Sequence, residues 1–228
     1  MSKLVLWGHH ISDYQEMFDL SSEDLAGKLL DFGSGASAFN SEITKTGGYC
    51  ISVDPLFGLD RATLKSKALL VFADMVETVT REQFKYDFSR YGGLDALIEQ
   101  RRLGMEEFFA DYNIGKKEQR YVPATQLRLP FNDFSFDMAL SSHYLFAGLD
   151  EQDTEFHVNV IIELARIAKE VRIFPLIDRN TQPSPFLGPV LLALQENNFG
   201  VEVKSCPYHL QPQGNAMLRV WAQQCEIC

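Results

Sequence analysis

A chain of 228 residues with 46% hydrophobic and 23% charged side chains has the composition of an ordinary globular protein, with enough apolar material for one self-sufficient core. The formal net charge of −10 disfavours any general affinity for nucleic-acid phosphates or anionic membranes, which calls for surplus Lys and Arg. No apolar run approaches the roughly 20 residues of a membrane-spanning helix, and four cysteines do not make a disulfide framework, so a reducing, cytoplasmic setting is expected.

In chain order, Ser12-Asp13-Tyr14-Gln15 has a capping-box pattern that predicts a short helix from Ser12 to about Phe18. Ser21 or Ser22 then caps a turn that stops at Gly27. Lys28–Phe32 is a short apolar strand of the buried parallel kind. It runs through Asp31 into Gly33-Ser34-Gly35, and a helix is expected over Ser37–Thr46, closed by Gly47-Gly48. Strand, glycine turn and helix together bring a nucleotide-like ligand against bare backbone at a helix N-terminus. Tyr49–Asp54 is the second strand, ending on a carboxylate and stopped by Pro55. Asp54 stands one strand-helix-strand passage after Asp31, where a carboxylate accepts hydrogen bonds from both hydroxyls of a ribose.

About 65 residues then separate Asp54 from the next strand. Val76–Phe88, Leu94–Leu103 and Met105–Tyr112 read as helices, punctuated by Gly92-Gly93 and Gly104. Residues 58–118 form a helical insertion, expected either to cap the pocket or to serve as a packing appendage or dimer surface. Residues 61–118 carry ten basic and ten acidic side chains, leaving eleven against twenty-one elsewhere, so the acidity sits on the ligand-binding framework. Arg120–Ala124 is the third strand and Phe134–Ser142 the fourth. A helix follows over Asp150–Lys169, with acids in its first turns and bases in its last. Glu170–Ile177 is the fifth strand, and a helix opened by Pro185 or Pro189 runs to Gly200. Val201–Tyr208 and Met217–Ala222 close the sheet as an antiparallel pair. The predicted architecture is one α/β domain over residues 1–228. It has a Rossmann-like, seven-stranded, mostly parallel sheet with an antiparallel C-terminal strand.

Gly33-x-Gly35-x-x-Ala38 satisfies a dinucleotide fingerprint, which keeps an NAD-dependent oxidoreductase among the readings. Asp31 pulls the other way, because a carboxylate two residues before the first glycine suits a cationic amino group better than a pyrophosphate. Leu129-Pro130-Phe131-x-x-Phe134-Ser135-Phe136-Asp137 after the third strand and the terminal hairpin complete a second pattern. The ordered set, with Leu30-Asp31-Phe32-Gly33-Ser34-Gly35 and Asp54, resembles the class I S-adenosylmethionine-dependent methyltransferases over nearly the whole chain except the insertion. A closer resemblance is to an uncharacterised bacterial group in that superfamily. It is carried by His10-Ile11-Ser12-Asp13-Tyr14, Ser52-Val53-Asp54-Pro55-Leu56, Phe109-Ala110-Asp111-Tyr112 and Glu170–Leu176.

The resemblance implies S-adenosyl-L-methionine as cofactor and methyl transfer to a small-molecule acceptor. A protein that binds this cofactor without transferring its methyl group is the alternative. Asp31 and the Gly33–Gly35 backbone would hold the methionine end, joined by Tyr14 from the N-terminal helix. Asp54, followed by Pro55, would hold the ribose. Thr125 stands where many family members carry an acid against the adenine amine, and the backbone of Gln126 and Leu127 is expected to serve instead. Ser141, Ser142 and His143 close the fourth strand, where the family's acceptor approaches, and His143 is the candidate base. The Asn/Asp-Pro-Pro-Tyr motif of many amino-methylating members is absent there. No metal site is expected: His9 and His10 are adjacent, so their side chains diverge. Cys225-x-x-Cys228 has redox or zinc spacing but no second pair. Both a monomer and a homodimer remain open.

Overall fold

The computed structural model describes residues 7–124, 127–146, 152–178 and 180–222. Its strands are β1 (Lys28–Phe32), β2 (Tyr49–Asp54), β3 (Tyr121–Pro123), β4 (Phe136–Ser142), β5 (Ala168–Phe174), β6 (Phe199–Ser205) and β7 (Ala216–Ala222). They form one sheet in the order β3-β2-β1-β4-β5-β7-β6. The first five pair in parallel, and β7 runs antiparallel to both of its neighbours. The fold is therefore the Rossmann-like α/β arrangement that the strand pattern predicts. The helices are α1 (Ile11–Phe18), α2 (Ser22–Ala26), α3 (Phe39–Lys45), α4 (Arg61–Arg81), α5 (Leu94–Lys117), α6 (Thr154–Ile167) and α7 (Leu187–Glu196). None of the described helices is long and apolar enough to cross a membrane.

Two apolar layers sandwich the sheet, and β1 shows how. Leu29 and Leu30 are both fully buried and face opposite sides, as successive strand residues must. Leu29 packs with Tyr14, Met17 and Phe18 of α1 and with Phe39 and Ile43 of α3. Leu30 packs with Val160, Ile161 and Leu164 of α6 and with Val190 and Leu194 of α7. Burying each such leucine stabilises the fold by roughly 1.5–3 kcal/mol.

The chain steps outward from β1 to β2 and β3, then returns to place β4 and β5 on the other side of β1. Strand order thus reverses between β1 and β4, and the loops at their carboxyl ends diverge to leave a crevice. In open α/β sheets ligands bind there. Asp31 and the Gly33–Gly35 turn lie on one side of that crevice and Ser141–His143 on the other.

Several boundaries differ from the sequence expectations, each for a local reason. Helix α1 begins at Ile11 with His10 as its cap; the Asp13 carboxylate reaches back to the His10 N–H at 2.9 Å, so the capping acid is Asp13 and not Gln15. Helix α3 starts at Phe39, after a longer glycine turn. Helix α7 ends before Asn198, which takes a left-handed turn (φ +62°) and leaves Gly200 inside β6. Asp150 and the Cys225–Cys228 pair lie outside the described residues.

The insertion departs most. It contains two long helices, of 21 and 24 residues, where three shorter ones were expected. Asp60 caps α4 by accepting from the Ala62 and Thr63 N–H groups, which starts that helix well before Val76. Gly104 does not break α5. It is the point where the N-terminal segment crosses the helix: a Cβ on Gly104 would lie 2.1 Å from the Gly8 carbonyl oxygen, and one on Gly8 2.1 Å from the Arg101 carbonyl oxygen. Gly104→Ala is therefore expected to destabilise the protein by about 2–4 kcal/mol, although alanine is intrinsically the better helix former by about 1 kcal/mol. A thermal melt should fall by roughly 4–16 °C. An unchanged midpoint would show that the crossing is not close-packed.

Candidate functional site

The glycine turn is built on positive backbone angles: φ is +68° at Gly33 and +55° at Gly35, a region side-chain-bearing residues seldom occupy. Gly33 also lacks room for a side chain, since a Cβ there would meet the Tyr144 ring at 2.3 Å. Tyr144 follows β4 directly, and its ring covers the turn while packing edge-on against Phe32 at 5.3 Å.

Two acids converge behind this turn. Asp31 is fully buried at the end of β1, and its two oxygens accept from the Tyr14 hydroxyl, each at 3.1 Å. Tyr14 is itself fully buried and held by a stack on Phe39 with centroids 4.1 Å apart. Burial pushes the Asp31 carboxyl up to about 8; the Asp54 charge adds to the rise and the Tyr14 hydroxyl opposes it. Asp54 is pushed up to about 6 by burial, against the pull of two backbone donors. Its oxygens accept from Gly35 N–H at 2.9 Å and Leu56 N–H at 2.8 Å, so Asp54 holds the glycine turn in shape. No Lys or Arg pairs with Asp31 or Asp54 among the described residues. Buried carboxylates left so favour a cationic or strongly donating ligand.

Two hydroxyls at the same crevice lack partners. Ser34 Oγ and Ser141 Oγ are both buried and make no hydrogen bond among the described residues. Such orphaned groups are rare in folded proteins and mark places where a polar ligand would satisfy them.

Beside the turn lies a mostly apolar cavity of about 390 Å³, lined by Phe32, Pro55, Ala124, Leu127, Leu129 and Tyr144, with Phe156 and Val160 of α6 behind. It sits at the carboxyl ends of β1, β2 and β3, an apolar slot with few polar groups of the kind that takes a flat heterocycle. Thr125 and Gln126 lie outside the described residues, while Leu127 lines the slot and is largely exposed.

His143 takes a left-handed backbone conformation (φ +57°), its N–H bonded to the Phe174 carbonyl at 2.7 Å. Its Nδ1 shares a 2.8 Å hydrogen bond with Ser142 Oγ. The ring stacks on His9 at 4.8 Å, with Trp7 beyond, and meets Phe174 edge-on. Burial and the nearby Arg101 push its pKa down to about 3, so the imidazole is neutral at pH 7 and a weak base. His9 is lowered for the same reasons. His10 points elsewhere: its ring bridges Glu42 at 2.6 Å and the Gln100 carbonyl at 3.1 Å, which engages both ring nitrogens. Among the described residues no three His, Cys, Asp or Glu side chains converge as a metal site.

A buried ionic network stands behind the site. Arg101 of α5 and Asp13 of α1 form a direct ion pair, and both are almost wholly enclosed. Arg101 also donates to the Tyr91 hydroxyl at 2.7 Å and the Tyr208 hydroxyl at 3.0 Å, and Tyr91 donates to Asp13 at 2.8 Å. Burial alone would raise the Asp13 carboxyl, but the Arg101 guanidinium overrides it and holds Asp13 below the usual range. The insertion is thereby locked to the helix that carries Tyr14. Neither Arg101 nor Tyr144 stands out as a site residue in the sequence. Their signals were an arginine on the apolar stripe of α5 and an aromatic just past the β4 end.

No protein-family model matches the chain. A curated relative, an uncharacterised protein of Methanocaldococcus jannaschii, is 29% identical over 216 residues that cover 94% of each chain. It carries no functional description and does not support the bacterial grouping. Among solved structures, the chain is similar to a SAM-dependent methyltransferase from Aquifex aeolicus, at 16% identity and a TM-score of 0.44, with 92% of each chain covered. It is also similar to magnesium protoporphyrin IX methyltransferase from Synechocystis with bound SAM, at 12% identity and a TM-score of 0.49. There 93% of this chain and 81% of that one are covered.

Proposed function

We propose that this protein is an S-adenosylmethionine-dependent methyltransferase acting on a small-molecule acceptor. The observation that carries the reading is the buried pair Asp31 and Asp54 around a positive-φ glycine turn, with no Lys or Arg among the described residues paired to either acid. A ligand with a positive sulfur and an ammonium group answers that demand, whereas a dinucleotide's pyrophosphate would add negative charge to two acids. Bound there, the cofactor would supply an already activated methyl group on a sulfonium.

The chain's own residues then have separable tasks. Asp31, held in place by Tyr14, would take the ammonium end, with the orphaned Ser34 and Ser141 hydroxyls as further partners. Asp54 would grip the ribose diol, and the slot between Pro55, Phe32 and Leu127 would sheathe the base. Tyr144 covers Gly33, so it must swing aside to admit a ligand and then exclude water over it. Ser141, Ser142 and His143 would face the acceptor. A neutral, low-pKa His143 suits orientation and hydrogen bonding of the acceptor better than storage of a proton. In this reading the insertion is a fixed wall of the site, held by the Asp13–Arg101 pair.

One observation favours a second reading, a cofactor-binding protein without transfer activity: the histidine at the β4 end is held far from the neutral pKa of an efficient base. Isothermal calorimetry with S-adenosylmethionine and S-adenosylhomocysteine tests what both readings share. Micromolar binding is expected, weakened about tenfold or more by Asp54→Asn. Consumption of the cofactor across a panel of small acceptors then separates enzyme from binding protein. No heat with either ligand, together with a melting midpoint raised by NADH alone, would overturn the assignment.

A further inference from the structure

Helix α4 is 21 residues long, yet only Leu64, Ala68 and Val79 are buried, all on the face toward α5. The opposite face is exposed and apolar at its centre, with Leu70 70% and Leu69 49% accessible and Ala73 one turn on. Exposed leucines in a contiguous strip on an otherwise acidic protein mark an interaction surface rather than a solvated helix face. The charges beside the strip say what covers it. Lys67 and Asp74 are seven residues apart (74 − 67), close to two helical turns, and therefore lie on the same flank of the strip. Both are exposed, and neither forms an ion pair among the described residues.

We propose that α4 is a homodimerisation helix that packs antiparallel against α4 of a second copy of this chain. A two-fold axis normal to the helix and passing near Leu70 keeps each flank on its own side and reverses direction. Such an axis brings Lys67 opposite Asp74 of the partner and Asp74 opposite the partner's Lys67. Their midpoint falls between positions 70 and 71, so Leu70 meets its own counterpart at the centre of the strip and Leu69 packs near Ala73 of the other copy. A single sequence supplies this complementarity only in the antiparallel arrangement; a parallel pair would leave Lys67 and the partner's Asp74 about two turns apart along the axis and on opposite flanks. An interface made largely by one helix pair is small, so a weak, micromolar dimer is expected.

Sedimentation velocity over a concentration series tests this on the full chain. The wild type should shift from monomer to dimer across the micromolar range. Lys67→Glu and Asp74→Lys should each raise the dissociation constant about tenfold or more, because each creates two like-charge contacts across the axis. The double variant K67E/D74K exchanges both partners and should restore dimerisation. Leu70→Asp should abolish it, and circular dichroism should show all four exposed-site variants folded. A chain that stays monomeric at several hundred micromolar overturns the proposal. A dimer insensitive to the three single changes overturns it equally, since another face would then carry the contact. None of these outcomes depends on which ligand the crevice takes.

Discussion

Arg101→Met is expected to lower folding stability by about 3–5 kcal/mol, among the largest effects of any single substitution outside the sheet core. Arg101 and Asp13 are both almost fully buried, so removing Arg101 leaves the Asp13 carboxylate in low dielectric with only the longer 3.6 Å contact to Arg90. The Tyr91 and Tyr208 hydroxyls lose a charged donor at the same time. At 2–4 °C per kcal/mol for a chain of this size, the melting midpoint should fall by roughly 6–20 °C. Chemical denaturation of Arg101→Met, Asp13→Asn and the double variant separates charge from packing. The double variant should be more stable than the arginine variant alone, since the buried carboxylate that Arg90 reaches only at 3.6 Å is then gone. A cost below about 1 kcal/mol for Arg101→Met would show that water reaches the pair. Because Asp13 and Tyr14 share one helix, the arginine variant should also weaken ligand binding through Tyr14 and Asp31.

Asp31 predicts an unusual pH dependence. Its carboxyl is pushed up to about 8 in the folded chain against an ordinary value of 3.8. Between about pH 4 and pH 8 the folded state therefore binds more protons at this site than the unfolded state. Its stabilising contribution is full below pH 4 and is lost as pH rises through 8. Asp54, raised to about 6, acts in the same direction over a narrower window. At 1.36 kcal/mol per unit, the ligand-free protein should lose up to about 4 kcal/mol from Asp31 between pH 5 and pH 8. Asp31→Asn should remove most of that slope. The variant should match the wild type near pH 4 and be the more stable of the two at pH 8. A cationic ligand reverses the balance by favouring the ionised acid, so the thermal shift with S-adenosylmethionine should grow from pH 6 to pH 8 in the wild type and stay flat in Asp31→Asn. Equal slopes for the two proteins would mean that Asp31 ionises normally and that the site makes no electrostatic demand.

Much of the framework was legible because its signals are local. Leu29–Phe32, Gly33–Gly35 and Tyr49–Asp54 announce strand, turn and strand through backbone preference and burial alone, and both strands have the predicted bounds. The insertion was less legible because glycine has two meanings. At Gly104 the missing side chain serves the passage of Gly8, a contact 96 positions away in sequence (104 − 8), and no helical periodicity reports it. The same holds for Asp13, which looks like a surface capping acid. It also holds for Arg101, whose place on an apolar stripe makes sense only once its partner is known.

By itself, the sequence determined the α/β class, the glycine turn and the two acids, because propensity, positive-φ demand and apolar patterning act over a few residues. The tertiary structure decided what those acids experience. Asp31 is an ordinary carboxylate until α1, α3 and the strands beside β1 remove water from it, and desolvation is a property of the assembled surroundings. It also decided that Tyr144 covers Gly33, a contact across the reversal of strand order between β1 and β4, and that Arg101 ties the insertion to α1, a contact between residues 88 positions apart (101 − 13).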